Sequence, residues 1–371
     1  MKITCDKYEL QNACTIASRA VASKSPVQTV EGLLLKAEGD KLSITGYDLK
    51  KAIITSISSE TEEAGSVVVS TKLFNEIIRR MPEGTIKLSS DANDTMKVKC
   101  GKSEFTITGM NAQDFPELPK VEELKGITLK QSMLKKMINK TVFAVADNDL
   151  RPIYTGALFD IENSKLTMVA IDGYRLAKRV ETIEGDIENG SFIVPGNSLN
   201  DVEKICEDAE EKTVKISVGA KHISFTIGDT LLISRRLEGD FLDYKKSIPS
   251  SFKYVIGIDK SEFMATIDRV GLVITDKNTS PVRVSFRDGS INCVCTTPIG
   301  YADDTCLCEG SGEGMEIGFN NKYLMDALKA AEVSKLNICI NTPNYPCVIT
   351  PAEGDSDFTY MILPMRLKVG N

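Results

Sequence analysis

Three short segments of this 371-residue chain resemble one another at a constant spacing. They start at Ser70, Pro195 and Asn320, so successive starts lie 125 residues apart. Each segment follows a β-like run and opens a helix-like run. A fixed period of this length indicates one structural unit used repeatedly. A chain of three similar domains forms an arc, and arcs can close into rings.

The repeat divides the chain into three domains of similar length. A unit of about 125 residues is close to the common domain size and can bury its own core. We expect an α+β fold, with two helices packed on antiparallel sheets in each unit and about eight strands per unit. The predicted domains are residues 1–121, 126–249 and 252–371. The first helix of each unit is predicted over Tyr8–Val21, Ser132–Ala146 and Ser261–Ile274.

Composition narrows the possible functions. No apolar run of about 20 residues occurs, and the N-terminus lacks the apolar core of a signal peptide, so we expect a cytoplasmic protein. The net charge of −7 argues by itself against a nucleic-acid-binding protein. Positive charge can still be concentrated on one surface of an acidic protein, so the local distribution decides.

Cysteine and histidine usage favours a protein without a metal or a catalytic centre. The ten cysteines are scattered. Two C-x-C pairs occur, Cys293 with Cys295 and Cys306 with Cys308. Each pair indicates either a metal site or small apolar residues on one face of a strand. We favour the second reading, because metal sites usually show C-x-x-C spacing. His222, the only histidine, lies in a strand-like segment and is read as a solvent-facing residue.

One predicted helix carries positive charge without any acidic residue. Along Ser132–Ala146 an apolar stripe faces one side, while the opposite side carries Lys135, Lys136, Asn139 and Lys140. No Asp or Glu occurs between Gly126 and Ala146. A solvated face normally mixes both signs, so this helix favours contact with nucleic-acid phosphates.

The other helices are less uniform in charge. In the helix after Thr71, the residues Leu73, Phe74, Ile77, Ile78 and Met81 are expected to face a core, with Arg79 and Arg80 pointing away. Lys24 lies in an early loop. The helix after Ser198 is acidic and departs from the trend. Nothing in the chain resembles a base-reading module, so any DNA contact would be to phosphate.

Several motifs together resemble one known family across the whole chain. They are Leu42–Leu49, Asp114–Pro116, Ile171–Ala177, Glu238–Tyr244, Glu316–Asn320 and Tyr360–Leu367. The chain resembles the bacterial sliding clamp, the β subunit of the replicative DNA polymerase III. The resemblance implies a non-catalytic, cofactor-free, head-to-tail homodimer that closes a ring of six domains. Helices would line the hole, sheets would form the rim, and duplex DNA would pass through while the polymerase is tethered.

The same resemblance implies a pocket that takes a short segment of partner proteins, roughly Gln-x-Leu-x-Leu/Phe. Its expected residues are Tyr154, Ile171, Gly173, Tyr174, Arg175, Leu176, Leu242, Lys246, Tyr323, Asn344, Pro346, Met361, Leu363, Pro364, Met365 and Arg366. An apolar chain end should be either docked or disordered, and Met and Leu side chains adapt to varied peptides. The alternative reading of Met361–Leu367 is an ordinary final strand. Leu242, Lys246, Ser247, Asn344 and Pro346 differ from the usual family residues and affect the expected peptide preference.

Resemblance also implies the DNA-facing residues, the dimer contact and the partners. The DNA-facing positions are Lys24, Arg79, Arg80, Lys135, Lys136, Lys140, Asn148 and Asn197, the last in place of an expected lysine. The dimer contact would bring Ile78, Phe105 and Ile107 of the first domain to Val273 and Ile274 of the third. Implied partners are double-stranded DNA, a second copy, the polymerase III alpha subunit, the clamp-loader delta subunit, translesion polymerases, mismatch-repair proteins and ligase, with no membrane. Residues 368–371 extend past the usual terminus.

Two other classes of function stay open at this point. A carboxylate- or metal-dependent phosphodiesterase would have to use Asp172, Asp240 and Asp243, which lack metal-ligand spacing. The glycine-rich Gly310–Gly314 lacks the lysine and helix of a phosphate loop. A scaffold that binds only proteins is the other alternative. Retention on circular but not linear DNA would distinguish a clamp from both.

Overall fold

The computed structural model describes residues 1–122, 125–148, 151–185, 188–275, 280–354 and 357–367. The chain packs as two units. The first comprises Met1–Lys135 with Asn197–Arg236, and the second comprises Lys136–Gly196 with Leu237–Asn371. The predicted extension at 368–371 lies outside the described residues.

The first third of the chain contains nine strands and two α-helices. The strands are β1 (Lys2–Asp6), β2 (Gly32–Glu38), β3 (Lys41–Tyr47), β4 (Lys51–Ser58), β5 (Glu60–Glu63), β6 (Gly65–Ser70), β7 (Thr85–Ser90), β8 (Thr95–Cys100) and β9 (Ser103–Thr108). The helices are α1 (Lys7–Ala17) and α2 (Thr71–Arg80). Short 3₁₀ turns occupy Ser18–Ala20, Gln28–Glu31 and Ala112–Asp114.

The second third repeats this order. Its strands are β10 (Lys125–Lys130), β11 (Gly156–Glu162), β12 (Lys165–Ile171), β13 (Arg175–Thr182), β14 (Gly190–Pro195), β15 (Thr213–Val218), β16 (His222–Ile227) and β17 (Thr230–Arg235). Its helices are α3 (Gln131–Asn139), α4 (Gly196–Ile205) and the short α5 (Tyr244–Ser247). The 3₁₀ turns are Val142–Ala144 and Pro152–Thr155.

The last third has the same pattern again. Its strands are β18 (Tyr254–Asp259), β19 (Val282–Arg287), β20 (Ser290–Thr297), β21 (Gly300–Leu307), β22 (Met315–Phe319), β23 (Lys335–Ile340), β24 (Cys347–Pro351) and β25 (Asp357–Ile362). Its helices are α6 (Lys260–Gly271) and α7 (Asn321–Ala330). The three predicted copies of one domain are therefore present, and the fold is α+β with antiparallel sheets.

In the first unit, one sheet runs from the first third of the chain into the second. The eight strands lie in the order β10-β15-β16-β17-β4-β3-β2-β6, and a five-stranded sheet has the order β5-β1-β7-β8-β9. Strands β17 and β4 pair antiparallel, with Thr230 opposite Thr55 and Ser234 opposite Lys51. Helices α1 and α2 close an apolar core on the first third, in which Leu10, Phe74 and Ile78 are fully buried.

The second unit is built in the same way. Its eight-stranded sheet has the order β14-β11-β12-β13-β25-β24-β23-β18, and its four-stranded sheet has the order β21-β20-β19-β22. Strands β13 and β25 pair antiparallel, with Arg179 opposite Phe358 and Leu176 opposite Met361. A shared sheet thus joins each third of the chain to the next one.

Carboxylate and amide side chains cap the N-termini of four described helices, α1, α5, α6 and α7. Asp6 accepts hydrogen bonds from the N–H groups of Tyr8 and Glu9, and Asp259 accepts one from Glu262. These bonds satisfy N–H groups that have no partner inside the helix. Asp6 and Asp259 are also the last residues of β1 and β18, so the first and last thirds repeat the same direct step from strand to helix.

The predicted ends of all three first helices are wrong: α1 ends at Ala17 and not at Val21, and α6 ends at Gly271 and not at Ile274. Helix α3 ends at Asn139, since Thr141 leaves the helical region at φ −132° and its hydroxyl donates to the Met137 carbonyl. Leu73, predicted to face the core, is 49% exposed. Strand β5 and helix α5 were not predicted from the sequence. Strand β5 is acidic and lacks apolar alternation, and it pairs only with β1 at the edge of its sheet.

No helix of the described residues is both long and apolar enough to span a bilayer.

Candidate functional site

A tight turn between β12 and β13 presents an exposed tyrosine. One carboxylate oxygen of Asp172 accepts hydrogen bonds from the backbone N–H groups of Tyr174, at 2.8 Å, and Arg175, at 3.0 Å. Gly173 adopts φ +93°, a conformation that glycine reaches without steric cost. The turn leaves Tyr174 64% exposed. Asp172 therefore has a structural role in this turn, which argues against its use as a catalytic or metal-binding carboxylate.

Arg175 is buried behind this turn and ties several elements together. Its guanidinium donates to Asp172 Oδ2 at 2.9 Å, to Asp326 Oδ2 on α7 at 2.6 Å and to the carbonyl of Phe143 at 2.6 Å. The same group lies 4.3 Å from the centre of the Tyr323 ring. Charge-assisted hydrogen bonds to two carboxylates fix this side chain more firmly than neutral bonds would. Arg175 thus positions neighbouring groups, and is only 7% exposed itself.

Aromatic rings stack next to Arg175. The rings of Tyr174 and Tyr323 have centroids 6.5 Å apart and planes 25° apart. Tyr154 meets Phe241 edge to face at 5.8 Å. Both contacts lie within the geometry that favours aromatic pairs. The residues predicted for the pocket did not include Phe241, although it lies within the family-like motif Glu238–Tyr244.

The end of the described chain is docked against the body of the second unit. Strand β25 pairs with β13, and the Leu363 N–H then donates to the Tyr174 carbonyl at 2.8 Å. Met365 forms an isolated antiparallel bridge with Gly318 on β22. The apolar segment Met361–Leu367 therefore begins in the final strand and continues as a docked extended segment. It has features of both interpretations made from the sequence, an ordinary final strand and a docked chain end.

An apolar cluster lies beneath these segments. Its buried members are Leu158, Val169, Ile171, Leu176, Ile193, Tyr244, Cys339, Val348 and Met361. The hydroxyl of Tyr244 donates to Asp160 Oδ2 at 2.7 Å, so this polar atom is satisfied. Desolvation, followed by that hydrogen bond, raises the pKa of Tyr244 to about 12.

Exposed apolar side chains lie on the segments that carry or flank members of this cluster. Tyr174 is 64% exposed, Tyr345 53%, Leu242 36% and Leu363 36%. Tyr345 was missed in the sequence, although its predicted neighbours Asn344 and Pro346 flank it in the loop between β23 and β24. Apolar residues that are exposed near one another commonly mark a surface that another molecule covers. Tyr174 contacts both Tyr323 and Leu363. We call these three residues, together with Leu242 and Tyr345 on the neighbouring segments, the apolar site.

The remaining predicted pocket residues lie at the edges of these elements. Pro364 and Met365 are half-buried, while Arg366 and Asn344 are exposed. Lys246 is exposed and lies 2.9 Å from Asp243. The hydrogen bond to Asp243 raises the pKa of Lys246 and lowers that of Asp243. Asp243 also caps α5, so it too has a structural partner.

The basic helix α3 is partly neutralised by its surroundings. Lys136 forms an ion pair with Glu332 at 3.0 Å. Lys140, which follows the helix, is half-buried, and desolvation lowers its pKa against the opposing attraction of Glu332. Lys135 is half-buried. The helix therefore keeps a net positive charge, though less than the sequence suggests.

The other predicted DNA-facing residues differ in their surroundings. Arg79 and Arg80 are exposed, and each lies 2.8 Å from Glu76 on the same helix. The hydrogen bond from Arg79 lowers the pKa of Glu76. Lys24, Asn148 and Asn197 are exposed. The predicted residues are divided between the two units: Lys24, Arg79, Arg80, Lys135 and Asn197 lie in the first, and Lys136, Lys140 and Asn148 in the second.

Asp201, one of the acidic residues of α4, is buried. The sequence had placed it among the acidic residues that set this helix apart from the basic ones. Asp201 pairs with Lys51 in a short contact, and Arg19 lies 3.8 Å from its other carboxylate oxygen. The charge of Asp201 is therefore compensated inside the protein. It contributes little to the surface field of the helix.

The predicted dimer residues differ in accessibility. Phe105 on β9 is 45% exposed, whereas Ile107 is 7% exposed and Ile78 is fully buried in the core of the first unit. Val273 and Ile274 are half-buried after α6. Among the described strands, β9 and β21 each have a neighbour on one side only. Both are open sheet edges, at which a further strand can add.

Residue types that enzymes and metal sites use are not gathered elsewhere in the described chain. Nine of the ten cysteines are buried and Cys308 is half-buried, and none is in a disulfide. Burial raises the pKa of Cys293 and Cys306, which keeps both thiols protonated. The residues described contain no group of three His, Cys, Asp or Glu that could hold a metal ion. His222 is half-buried on β16.

Three tandem α+β domains joined through continuous sheets define the class of DNA-clamp proteins. Sequence models of the DNA polymerase III beta subunit match the chain in order: the N-terminal domain over residues 1–119, the central domain over 128–243 and the C-terminal domain over 245–366. The chain belongs to this family, the beta sliding clamps, which are non-catalytic subunits.

Relatives and solved structures agree with this assignment. The beta sliding clamp of Bacillus subtilis (strain 168) is 30% identical over 99% of this chain and 100% of its own length, and that of Synechocystis is 29% identical over 99% and 100%. The crystal structure of the Bacillus subtilis sliding clamp superposes with a TM-score of 0.94 at 29% identity, covering 99% of both chains. A beta subunit from Eubacterium rectale gives a TM-score of 0.93 at 31% identity, over 98% of this chain and 99% of that one.

Proposed function

We propose that this chain is a DNA sliding clamp that works as a head-to-tail homodimer, in which two chains enclose duplex DNA. The observation that carries the proposal is the pair of open edges. Two junctions between thirds are made by antiparallel strand pairs, β17 with β4 and β13 with β25. Strands β9 and β21 occupy the corresponding places in the first and last thirds of the chain, and each has a neighbour on one side only among the described strands.

A closed ring of six domains follows if the edges of two chains pair with each other. The pairing is head to tail, since each chain supplies one edge from its first third and the other from its last. Two chains close the ring, and the edges of β9 and β21 are then covered. Exposed apolar residues near the two edges, Phe105 on β9 and Tyr301 and Leu307 on β21, support this arrangement.

Contact with DNA would be electrostatic and non-specific. Lys24, Lys135, Lys136, Asn148 and Asn197 are at least partly exposed. Such groups attract phosphates without reading bases, and the interaction is screened by salt. Weak contacts of this kind suit a ring that has to slide, because retention then depends on closure and not on affinity.

The apolar site would bind the short segment of partner proteins. Its exposed tyrosine and leucine side chains offer apolar contacts, while Arg175 and the docked tail hold these side chains in place. We assign to it a Gln-x-Leu-x-Leu/Phe segment from the polymerase III alpha subunit, the clamp-loader delta subunit, translesion polymerases, mismatch-repair proteins and ligase. These partners would compete for the same site in the cytoplasm.

Topological retention tests this function. The purified clamp is assembled on a nicked plasmid and on the same plasmid linearised beforehand, and bound protein is measured after gel filtration at moderate salt. We expect retention on the circle and loss from the linear DNA. Equal retention on both would overturn the proposal, because an enzyme or a scaffold would not respond to DNA ends.

A further inference from the structure

The turn between β3 and β4 has the same backbone construction as the turn that carries Tyr174. One carboxylate oxygen of Asp48 accepts hydrogen bonds from the backbone N–H groups of Lys50, at 2.9 Å, and Lys51, at 2.6 Å. Asp172 accepts the same two bonds in the turn between β12 and β13. The two turns are therefore equivalent positions of the repeat, one in each unit of the chain.

The segment beside each turn is equivalent as well. In the first unit the Arg235 N–H donates to the Lys50 carbonyl at 3.1 Å. In the second unit the Leu363 N–H donates to the Tyr174 carbonyl at 2.8 Å. Lys50 thus occupies the place of the exposed Tyr174, and Arg235 that of Leu363. Two members of the apolar site are replaced by cations in the first unit.

Two further cations lie beside Lys50 and Arg235. Arg236 follows Arg235 directly, and its backbone N–H donates to the Lys221 carbonyl at 2.9 Å. The guanidinium of Arg236 donates to the carbonyl of Gly219 at 2.7 Å. These backbone contacts hold four cations close together. We call Lys50, Lys221, Arg235 and Arg236 the basic cluster.

The charge of the basic cluster is not compensated by carboxylates of the described residues. Lys50, Lys221 and Arg235 are exposed, Arg236 is half-buried, and none of the four is in a salt bridge with a described residue. The chain as a whole has a net charge of −7, so this surface is a local exception. Uncompensated positive charge on an acidic protein attracts anionic groups.

An exposed leucine in an unfavourable backbone conformation lies in the same turn. Leu49 has φ +70° and is 47% exposed. Its equivalent in the second unit is Gly173, which reaches φ +93° without steric cost. A non-glycine residue in this region costs about 1 kcal/mol or more, and such residues cluster at functional sites. The half-exposed side chain gains little from burial, so the core does not account for a leucine here.

We propose that the basic cluster and Leu49 form a docking surface, distinct from the apolar site, for an acidic segment of a partner protein. Carboxylates of the segment would pair with the cations, and an apolar residue among them would cover Leu49. Equivalent turns of the two units then recognise segments of different chemistry, so that a charged segment and a Gln-x-Leu-x-Leu/Phe segment do not compete. All residues of this surface lie in the first unit, so the surface does not depend on ring closure.

Nucleic acid is the competing class of anionic partner. Single-stranded bases stack on exposed aromatic rings, whereas Tyr47, at the start of this turn, is only 8% exposed. Contacts to a duplex backbone are made to phosphates and would leave Leu49 unused. The exposed leucine among the cations therefore favours a protein segment.

Fluorescence anisotropy with labelled peptides and the full chain tests the surface. The probe is Glu-Asp-Glu-Leu-Glu-Asp-Glu, and the control peptide is Gln-Asn-Gln-Leu-Gln-Asn-Gln. The acidic probe should bind with an affinity that falls with salt, and the amide peptide should bind at least about tenfold more weakly. Excess Gln-x-Leu-x-Phe peptide should not displace the acidic probe. Displacement, or no binding of the probe at about 1 mM protein, would overturn the proposal.

Charge reversal locates the binding. Lys50→Glu combined with Arg235→Glu should weaken binding of the acidic probe by at least about tenfold. Lys87→Glu combined with Lys97→Glu, at two exposed positions on β7 and β8, changes the net charge equally and should alter the affinity by less than about twofold. An equal loss in both double variants would show unspecific attraction only, and the docking surface would be wrong.

A substitution at Leu49 separates docking from a structural role. Glycine tolerates positive φ, so Leu49→Gly should be at least as stable in urea as wild type, yet bind the acidic probe about fivefold more weakly. Unchanged binding would contradict the proposal.

An oligothymidylate of about 20 nucleotides is the probe for the competing class. The surface would take nucleic acid, and the proposal would be wrong, if Lys50→Glu with Arg235→Glu abolished binding of this oligonucleotide but left the affinity for the acidic peptide unchanged.

Discussion

Arg175 lies against Tyr323, with its guanidinium carbon 4.3 Å from the centre of the aromatic ring. Tyr323 in turn stacks on the exposed Tyr174. A buried cation therefore holds the aromatic surface of the apolar site in position, and the site depends on a charge that is only 7% exposed. The ion pair with Asp326 connects this arrangement to α7.

Replacing Arg175 should damage both stability and binding. Arg175→Ala removes hydrogen bonds to Asp172, Asp326 and the Phe143 carbonyl, which should cost about 3 kcal/mol in the free energy of unfolding. Urea unfolding measures this loss, and fluorescence anisotropy with a Gln-x-Leu-x-Phe peptide measures the affinity. Arg366→Ala, at an exposed position, is the control for stability. An unchanged unfolding midpoint in Arg175→Ala would contradict the structural role.

Truncating the exposed side chains of the apolar site should weaken peptide binding without unfolding the protein. Tyr174→Ala and Leu363→Ala should each reduce the affinity by about tenfold or more, since apolar anchors carry most of the energy of such contacts. Titration calorimetry with the same peptide gives the affinity. Val255→Ala, in the same unit and 53% exposed, is the matched control. If all three variants bind alike, the site lies elsewhere.

The raised pKa of Tyr244 predicts a pH-dependent loss of stability. Its folded pKa of about 12 lies above the ordinary tyrosine value near 10. The native state therefore holds this proton more tightly, and its contribution to stability is complete below pH 10 and is lost as the pH rises towards 12. Tyr244→Phe should remove this slope and cost about 1 kcal/mol at pH 8 through the lost hydrogen bond to Asp160.

Urea unfolding of both proteins between pH 8 and 11.5 checks this effect. The difference in unfolding free energy between wild type and Tyr244→Phe should shrink as the pH rises. A difference that stays constant over this range would contradict the assigned pKa.

Lysines on and next to α3 should govern the salt dependence of DNA association. Replacing Lys135, Lys136 and Lys140 by alanine removes up to three phosphate contacts and should reduce the slope of log affinity against log salt by about 2 to 3. Electrophoretic mobility at several salt concentrations measures the slope. Alanine at Lys36, Lys87 and Lys97, three exposed lysines on sheets, is the matched control. An equal reduction in both triple variants would argue against a DNA-facing α3.

Thiol accessibility should distinguish core cysteines from a metal or redox site. Nine cysteines are buried, and burial raises the pKa of Cys14 and Cys347 strongly. We expect Ellman's reagent to modify only Cys308 rapidly in the native chain, and all ten cysteines after unfolding. Cys308→Ser should abolish the rapid phase. Rapid modification of several thiols in that variant would contradict the assigned burial.

Much of the fold could be predicted from local features of the sequence. The alternation of apolar residues predicted about eight strands per unit, and the described residues contain nine, eight and eight. The 125-residue spacing of the three similar segments located the second helix of each third. Caps such as Asp259 lie directly before a helix and are visible in the sequence. Strands and helices are predicted well from one sequence where the capping residue and the apolar periodicity match the packing in the folded chain.

Features set by distant contacts were not predictable in this way. Leu73 was predicted to face the core with the other apolar residues of α2, but its side chain is exposed. Helical periodicity shows which face is apolar and does not show how far along that face the core extends. Asp201 seemed to be a surface charge, yet Lys51, 150 residues away, covers it. Asp172 resembled a candidate catalytic acid, and only the folded turn reveals that its oxygens accept local hydrogen bonds.

Release from a cut plasmid tests the central claim most directly. The clamp is assembled on a nicked circular plasmid, the plasmid is cut at one site, and bound protein is followed with time. A second sample carries a bulky protein block on each end after cutting. The proposed ring should leave the open ends quickly and remain on the blocked DNA. Protein that stays on DNA with free ends as long as on blocked DNA would contradict the account.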